Sequence, residues 1–286
     1  MPSLIDLRRR IRSVKNTQQI TKAMKMVAAA KLRKAQERVL AARPYADLYA
    51  RMLADVALAA NASGGDIDHP LLRTRPEQRV RLVFVTSDRG LAGAFNANLI
   101  KAAQTFVRQH EGKQISIEAV GRKGRDFFVR RSNALTGEHL GIVEKARFTD
   151  AQAIAAKVIS AYSAEEVDAV YVIFNQFKSV MTQVLTVSRL LPISVPEGEA
   201  APDYIYEQTP QEMLASMLPK YVETGIYQAM LESAASEHAA RMTAMDAATS
   251  NASDVIESLT LHLNRVRQAA ITKEIIEIVS GAAALE

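Results

Sequence analysis

The sequence contains no cysteine and no tryptophan among its 286 residues. Without cysteine there can be no disulfide framework, zinc knuckle, iron–sulfur cluster or thiol nucleophile. Histidine is sparse: five residues, at positions 69, 110, 139, 238 and 262, with no metal-ligand spacing among them. These absences predict a chain with no metal site. Long apolar runs are missing as well. A membrane-crossing helix needs roughly 18 to 20 such residues, and the nearest approach is Val170-Tyr-Val-Ile-Phe174, set close behind Asp168. The opening Met1-Pro-Ser-Leu-Ile-Asp-Leu-Arg-Arg-Arg carries charge where a secretory signal needs an apolar core, so the expected location is the cytoplasm.

Charge is present in both signs, 36 Lys and Arg against 31 Asp and Glu, but it is unevenly distributed. Residues 1–43 hold 12 basic and 2 acidic residues, residues 44–210 hold 19 of each, and residues 211–286 hold 5 basic and 10 acidic. A basic first segment taken alone suggests a nucleic-acid arm or an anionic surface. An acidic last segment suggests instead that the two ends pair, since complementary charge sets partner choice between antiparallel helices.

Residues 3 to about 57 lack glycine, and Leu4, Leu7, Ile11 and Val14 follow the 3-4 spacing of a coiled-coil seam. The apolar stripe is expected to drift through Ile20, Met24, Val27, Leu32, Ala35 and Val39. Pro44, which lacks an amide donor, should then kink or interrupt the helix. Residues 61–70 have the composition of an exposed loop. Beyond them strands at Arg79–Thr86, Ile115–Val120 and Ala169–Phe174, with another near Leu140–Val143, alternate with helices at Asn96–Gln109, through Phe127 and at Ala151–Tyr162. That alternation implies a mostly parallel sheet. Val180–Leu190 follows Phe174 closely enough to form an antiparallel edge hairpin with it. Residues 192–210 are a proline- and acid-rich connection, and helix resumes at Gln211 with an interruption expected near Pro219 or Gly225. Met230, Met242, Met245, Val255, Leu259, Leu263, Val266, Ile275 and Val279 then keep helical spacing. This last helix is longer than its presumed partner, so its apolar end should overhang and need another protein to cover it.

The predicted architecture is α/β: a long antiparallel coiled coil of N- and C-terminal helices plus a central Rossmann-like α/β domain. Its expected divisions are residues 1–60, 61–210 and 211–286.

Ser87-Asp-Arg-Gly-Leu-Ala-Gly-Ala-Phe-Asn96 lies between a strand and a helix, where α/β folds often hold phosphates. Gly90 and Gly93 are spaced only as G-x-x-G, and no Lys-Ser/Thr follows, so neither a dinucleotide fingerprint nor a P-loop is present. The plainer reading is a tight turn, with Asp88 and Arg89 as turn and surface charges. No histidine pairs with a serine or aspartate in a recognisable elbow, and no two carboxylates stand apart from the charged surface. On the first helix Lys25, flanked by Met24 and Met26, is placed to offer its ammonium to a partner's carboxylate. On the last, Arg267, Gln268, Thr272 and Glu274 fall within two turns, beside an apolar stripe.

Three segments together resemble one family: Ile20-Thr-Lys-Ala-Met-Lys-Met-Val-Ala-Ala-Ala-Lys-Leu32, Ser87–Asn96, and the C-terminal run from Arg267 to Leu285. The chain is similar to gamma subunits of bacterial F-type ATP synthase, the central-stalk rotor. The resemblance implies a noncatalytic shaft without cofactor or metal. Its terminal helices would penetrate a ring of three alpha and three beta subunits, with the α/β domain against epsilon and the membrane c-subunit ring. By motif, Met24 with Lys25, and Arg267 with Gln268, would face beta-subunit loops, and Thr272 and Glu274 complete the residues expected to bind partners as rotor–stator contacts. Membrane association would come only through the complex, on the cytoplasmic face of the inner membrane, and no nucleic acid would be bound. Many relatives carry cysteine where this chain has Ala92, and photosynthetic relatives insert a regulatory cysteine pair that is absent here, so thiol control is excluded. A nucleotide-binding enzyme built on the Gly90–Gly93 turn, and a basic-helix nucleic-acid binder, remain the alternatives from other classes.

Overall fold

The structure, a computed structural model, describes residues 4–62, 69–131, 135–194 and 207–283. Two helices dominate: α1, Leu4–Ala62, and the last helix α5, Pro210–Ala283. Between them come a single 3-10 turn at Pro70–Leu72, β1 (Arg79–Val85), α2 (Phe95–Gln109), β2 (Gln114–Val120), α3 (Arg122–Val129), β3 (Leu135–His139), α4 (Phe148–Ser163), β4 (Ala169–Phe177) and β5 (Gln183–Leu191). The chain forms two compact units: residues 1–29 with 241–286, and residues 30–240.

In the larger unit the strands lie in the order β3-β2-β1-β4-β5, all parallel except the antiparallel β4–β5 hairpin. Side chains alternate across a strand. Val80, Leu82 and Phe84 of β1 accordingly share a core with Phe95, Leu99 and Phe106 of α2 and Phe128 of α3, while Val83 and Val85 are buried on the other face. Two-sided burial explains the continuous apolar run in β1, as in parallel sheets covered on both sides.

Neither proline interrupts its helix: α1 runs through Pro44 and α5 through Pro219 and Gly225. A mid-helix proline costs about 3 kcal/mol. Against this, Leu214, Leu218, Val222 and Ile226 are fully buried at i, i+4, i+8 and i+12 along α5, and each such side chain contributes about 1.5–3 kcal/mol. Val39, Leu53 and Val56 flank Pro44 in the same way. The strand expected near Leu140–Val143 lies earlier, at Leu135–His139. The later apolar residues belong to a loop that turns at Gly141 (φ 73°), and Val143 is apolar because that loop buries it. Of the segment read as an exposed loop, residues 61 and 62 end α1 and Pro70 opens the 3-10 turn, while residues 63–68, like residues 195–206 of the expected connection, lie outside the described residues.

Arg43 and Glu232 clamp the end of β4. The Glu232 carboxylate accepts from Arg43 Nε (2.8 Å) and Nη2 (2.9 Å) and from the backbone N–H of Phe177 (2.8 Å), while Arg43 Nη2 also donates to the Phe177 carbonyl. The hydrogen bond to Glu232 raises the Arg43 pKa further above its ordinary value, against the opposing effect of burial.

Candidate functional site

In the smaller unit the N-terminal part of α1 pairs antiparallel with the C-terminal part of α5. Gln18 bonds Ser253, Thr21 accepts from Thr249, and Lys25 pairs with Asp246, contacts whose residue numbers sum to 270 or 271. The seam through Leu4, Leu7, Ile11, Val14, Gln18, Thr21, Lys25 and Ala28 keeps strict 3-4 spacing. The expected drift onto Ile20 and Val27 does not occur: these are 60% and 55% exposed, while small or polar Thr21 and Ala28 are buried. Close helix approach favours those small side chains, a preference that hydrophobicity alone does not reveal. On α5 the seam likewise passes through Ile256, leaving Val255 exposed.

The same register places Leu4 opposite about residue 267, so α5 beyond that point has no α1 partner among the described residues. Residues 271–280 are all exposed, with Ile278 at 72%.

The sequence-selected residues fall into two places. Met24 and Lys25 are half-buried on α1, and the Lys25 ammonium meets Asp246 of this chain rather than waiting unpaired for a partner. Arg267, Gln268, Thr272 and Glu274 are exposed at and beyond the end of the pairing. Thr272 Oγ1 donates to the Gln268 carbonyl (3.0 Å). By helical geometry Arg267, Ile271 and Glu274 share one face, and Gln268, Thr272 and Ile275 the next. Sequence reading missed the outward position of Ile20 and Val27, because it assigned those residues to the seam.

The residues that open the glycine turn are engaged by the start of α3. At the start of α3 the amide of Arg122 donates to Asp88 Oδ1 (3.0 Å), that of Lys123 to the Ser87 carbonyl (3.0 Å) and that of Gly124 to Thr86 Oγ1 (2.9 Å). Asp88 Oδ1 takes a further amide from Gly141 (3.0 Å). A helix N-terminus attracts anions through such amides; here the Asp88 carboxylate takes that of Arg122, and the Ser87 carbonyl and the Thr86 hydroxyl take the next two. Asp88 is thus a staple across three loops rather than a surface charge. Open α/β sheets hold ligands where strand order reverses. Here that point is the gap between β1 and β4, and the Arg43–Glu232 clamp takes the backbone groups that end β4. Among the described residues no group of His, Asp and Glu could hold a metal ion, and no helix is long and apolar enough to cross a membrane.

A family model described as ATP synthase matches residues 3–285. The ATP synthase gamma chain of Solibacter usitatus is 59% identical over 286 residues, covering all of both chains. The chain belongs to the ATP synthase gamma-chain family. The gamma chain of Pelotomaculum thermopropionicum is 52% identical over 289 residues, again covering both chains completely. Among solved structures, the central stalk/c-ring of the Tetrahymena thermophila mitochondrial ATP synthase contains a similar chain with 26% identity. The TM-score is 0.64, with 80% of this chain and 99% of that one covered. A chain of the Euglena gracilis mitochondrial assembly of OSCP, F1 and c-ring has the same fold, with a TM-score of 0.69 at 19% identity and with 99% and 94% covered. As a member of this family the chain is a component of an ATP synthase, an enzyme complex.

Proposed function

We propose that the chain is the noncatalytic rotor shaft of a bacterial F-type ATP synthase, working at the cytoplasmic face of the inner membrane. The single observation that carries this reading, beyond family membership, is the bare tip of α5: ten consecutive exposed residues, 271–280, rich in isoleucine and lying past the end of the α1 pairing. Apolar surface of that kind calls for a sleeve of other protein, and a ring of alpha and beta subunits supplies one. The sheet unit stands toward epsilon and the c-subunit ring, as the assemblies containing its structural neighbours suggest. Residues 1–60 and 211–286 serve as the shaft, and residues 61–210 as its base. ATP and its metal belong to the neighbouring subunits.

Met24 and Lys25 on the coil, with Arg267, Gln268, Thr272 and Glu274 near the tip, are the partner-facing contacts. Their task is differential. A shaft that fitted every conformation of the surrounding sites equally would shift none of them.

Gentle solubilisation of membranes from cells carrying a tagged chain tests the assembly. Two larger ATPase subunits should co-purify in molar excess over it, whereas a free monomer or homodimer would remove the rotor reading. Within an assembled complex, Arg267→Ala should weaken ATP-driven proton pumping while leaving the chain's own folding intact, since its side chain is exposed. Unchanged pumping would remove Arg267 from the contact set.

A further inference from the structure

In the larger unit, β1 pairs with β4 only as far as Phe84 opposite Ile173, whereas β4 runs on to Phe177. On its other side β5 accompanies it to the end, with Gln183 opposite Phe177. Past Ile173, one backbone edge of β4 therefore has no strand beside it. Asn175 and Phe177, two residues apart, turn their backbone groups to the same edge. Those groups are taken instead by the two long helices. Ser236 Oγ of α5 donates to the Asn175 carbonyl (3.0 Å), Glu232 of α5 accepts the Phe177 amide (2.8 Å), and Arg43 of α1 donates to the Phe177 carbonyl. Arg43 and Glu232 also join the two helices to each other.

Three elements thus meet at one buried point. Glu232, Ser236 and Asn175 are all buried, and so are Ala229 and Ala239. These two alanines continue the 3-4-3 face of α5 on which Glu232 and Ser236 lie, and their small side chains let the strand end come close. A desolvated, two-pronged guanidinium–carboxylate bond resists sideways displacement, because its geometry is fixed and no water is at hand to replace a partner. The attachment between Gln152 of α4 and Glu223 of α5 (3.1 Å) is different in kind: it is exposed, and water exchanges with it.

We propose that this joint is where rotation passes between the sheet and the two terminal helices, with Arg43 as the positioning residue that holds α1, α5 and β4 at one fixed angle. The proposal rests on the chain being a rotor shaft, since a stationary subunit has no twisting force to pass on. Where apolar side chains alone meet, packed elements can roll or slide, because such contacts are non-directional. Hydrogen bonds to the backbone of a strand end are directional, and the ladders from β4 to β1, β2 and β3 share them with the whole sheet. Because Arg43 grips α5 and β4 at once, a twist of the sheet reaches both helices together.

The chain has no cysteine, so Gln104→Cys on the exposed side of α2 gives a single attachment point for a gold rod, in a complex whose other subunits are free of reactive cysteine. With the surrounding ring anchored and ATP withheld, the resting angular variance of the rod is inverse to the stiffness beneath it. Arg43→Ala removes three of the five hydrogen bonds of the joint and should widen that variance by roughly 1.5-fold to 2.5-fold. Glu232→Gln and Ser236→Ala, which keep the rest of the joint, should widen it less. Arg43→Lys keeps the charge but not the fork and should restore part of what Arg43→Ala loses. Two controls separate the joint from general loosening. Gln152→Ala removes the exposed attachment, and Gly121→Ala strains the sheet elsewhere, with its Cβ 2.2 Å from the Thr86 carbonyl oxygen; neither should widen the variance. If Arg43→Ala does not assemble, the two milder variants decide. Joint variants that leave the variance unchanged, or controls that widen it as much, would overturn the joint, while ATP-driven turning of the parent rod keeps the rotor reading. A parent rod that does not turn when ATP is supplied would remove both.

Discussion

Replacing Arg43 with alanine isolates the Glu232 carboxylate where it is only 1% exposed. Glu232 then retains one N–H donor, that of Phe177, out of the three donors it has in the intact clamp. Breaking a buried pair from one side costs about 3–5 kcal/mol, so Arg43→Ala should lose about that much. The reverse change is milder. Glu232→Gln keeps a carbonyl for the Phe177 amide, and the Arg43 side chain, 31% exposed, can turn to water, for a cost of about 1–2 kcal/mol. Combining the two leaves a neutral buried amide, so the double variant should be more stable than Arg43→Ala alone. Urea unfolding followed by circular dichroism gives the global values. Hydrogen exchange of a peptide spanning Ala169–Phe177 gives the local ones, which matter because a chain of two units need not unfold in one step. The reasoning fails if Arg43→Ala falls within about 1 kcal/mol of the parent, or if adding Glu232→Gln makes Arg43→Ala worse.

Gly121 sits at φ 100°, and an added Cβ would lie 2.2 Å from the Thr86 carbonyl oxygen. Gly121→Ala should therefore cost more than about 2 kcal/mol and open the start of α3, an effect visible as faster exchange of the Arg122–Val129 amides. Burial pushes the Glu118 carboxyl up, but the hydrogen bond from His139 and the charges of His139, Lys157 and Arg81 outweigh it and hold the group below its ordinary 4.5. Because the folded pKa is the lower one, this stabilisation is present above the unfolded value and is lost as pH falls through the folded one. Asp168, held low chiefly by its hydrogen bond with Arg79, acts in the same direction from its ordinary 3.8. Denaturant midpoints measured from neutrality into that acid range should fall, and Glu118→Gln should flatten the fall; an unchanged slope would refute the assignment. Lys25→Ala removes an exposed ion pair and should change stability by no more than about 1 kcal/mol, so a larger loss in thermal unfolding would make the pair a structural one.

Much of the fold can be read from sequence where one physical signal dominates. The β-branched run at Arg79–Val85 and the alternation of strands and helices after it correspond to the observed sheet, and the β4–β5 hairpin follows from the short gap after Phe177. Reading failed where long-range packing overrides a local rule. Pro44 and Pro219 are tolerated because buried side chains on either side outweigh their cost, and those partners are distant in sequence. The coil seam prefers Thr21 and Ala28 to Ile20 and Val27 because close approach rewards small side chains. The candidate contacts near Arg267 were legible as residues. Their placement at the end of the pairing needed the register that Gln18, Thr21 and Lys25 set. Asp88 looked like a turn residue because its acceptor role depends on Arg122 and Gly141, which only the folded sheet brings near.

That internal carboxylate has a wider consequence. With Asp88 the sheet unit carries its own acceptor for the amides of Arg122 and Gly141, one that cannot be diluted away. A covalently tethered acceptor meets those amides at an effective concentration set by the chain itself, so the three loops it joins are fastened by the fold and not by a solute.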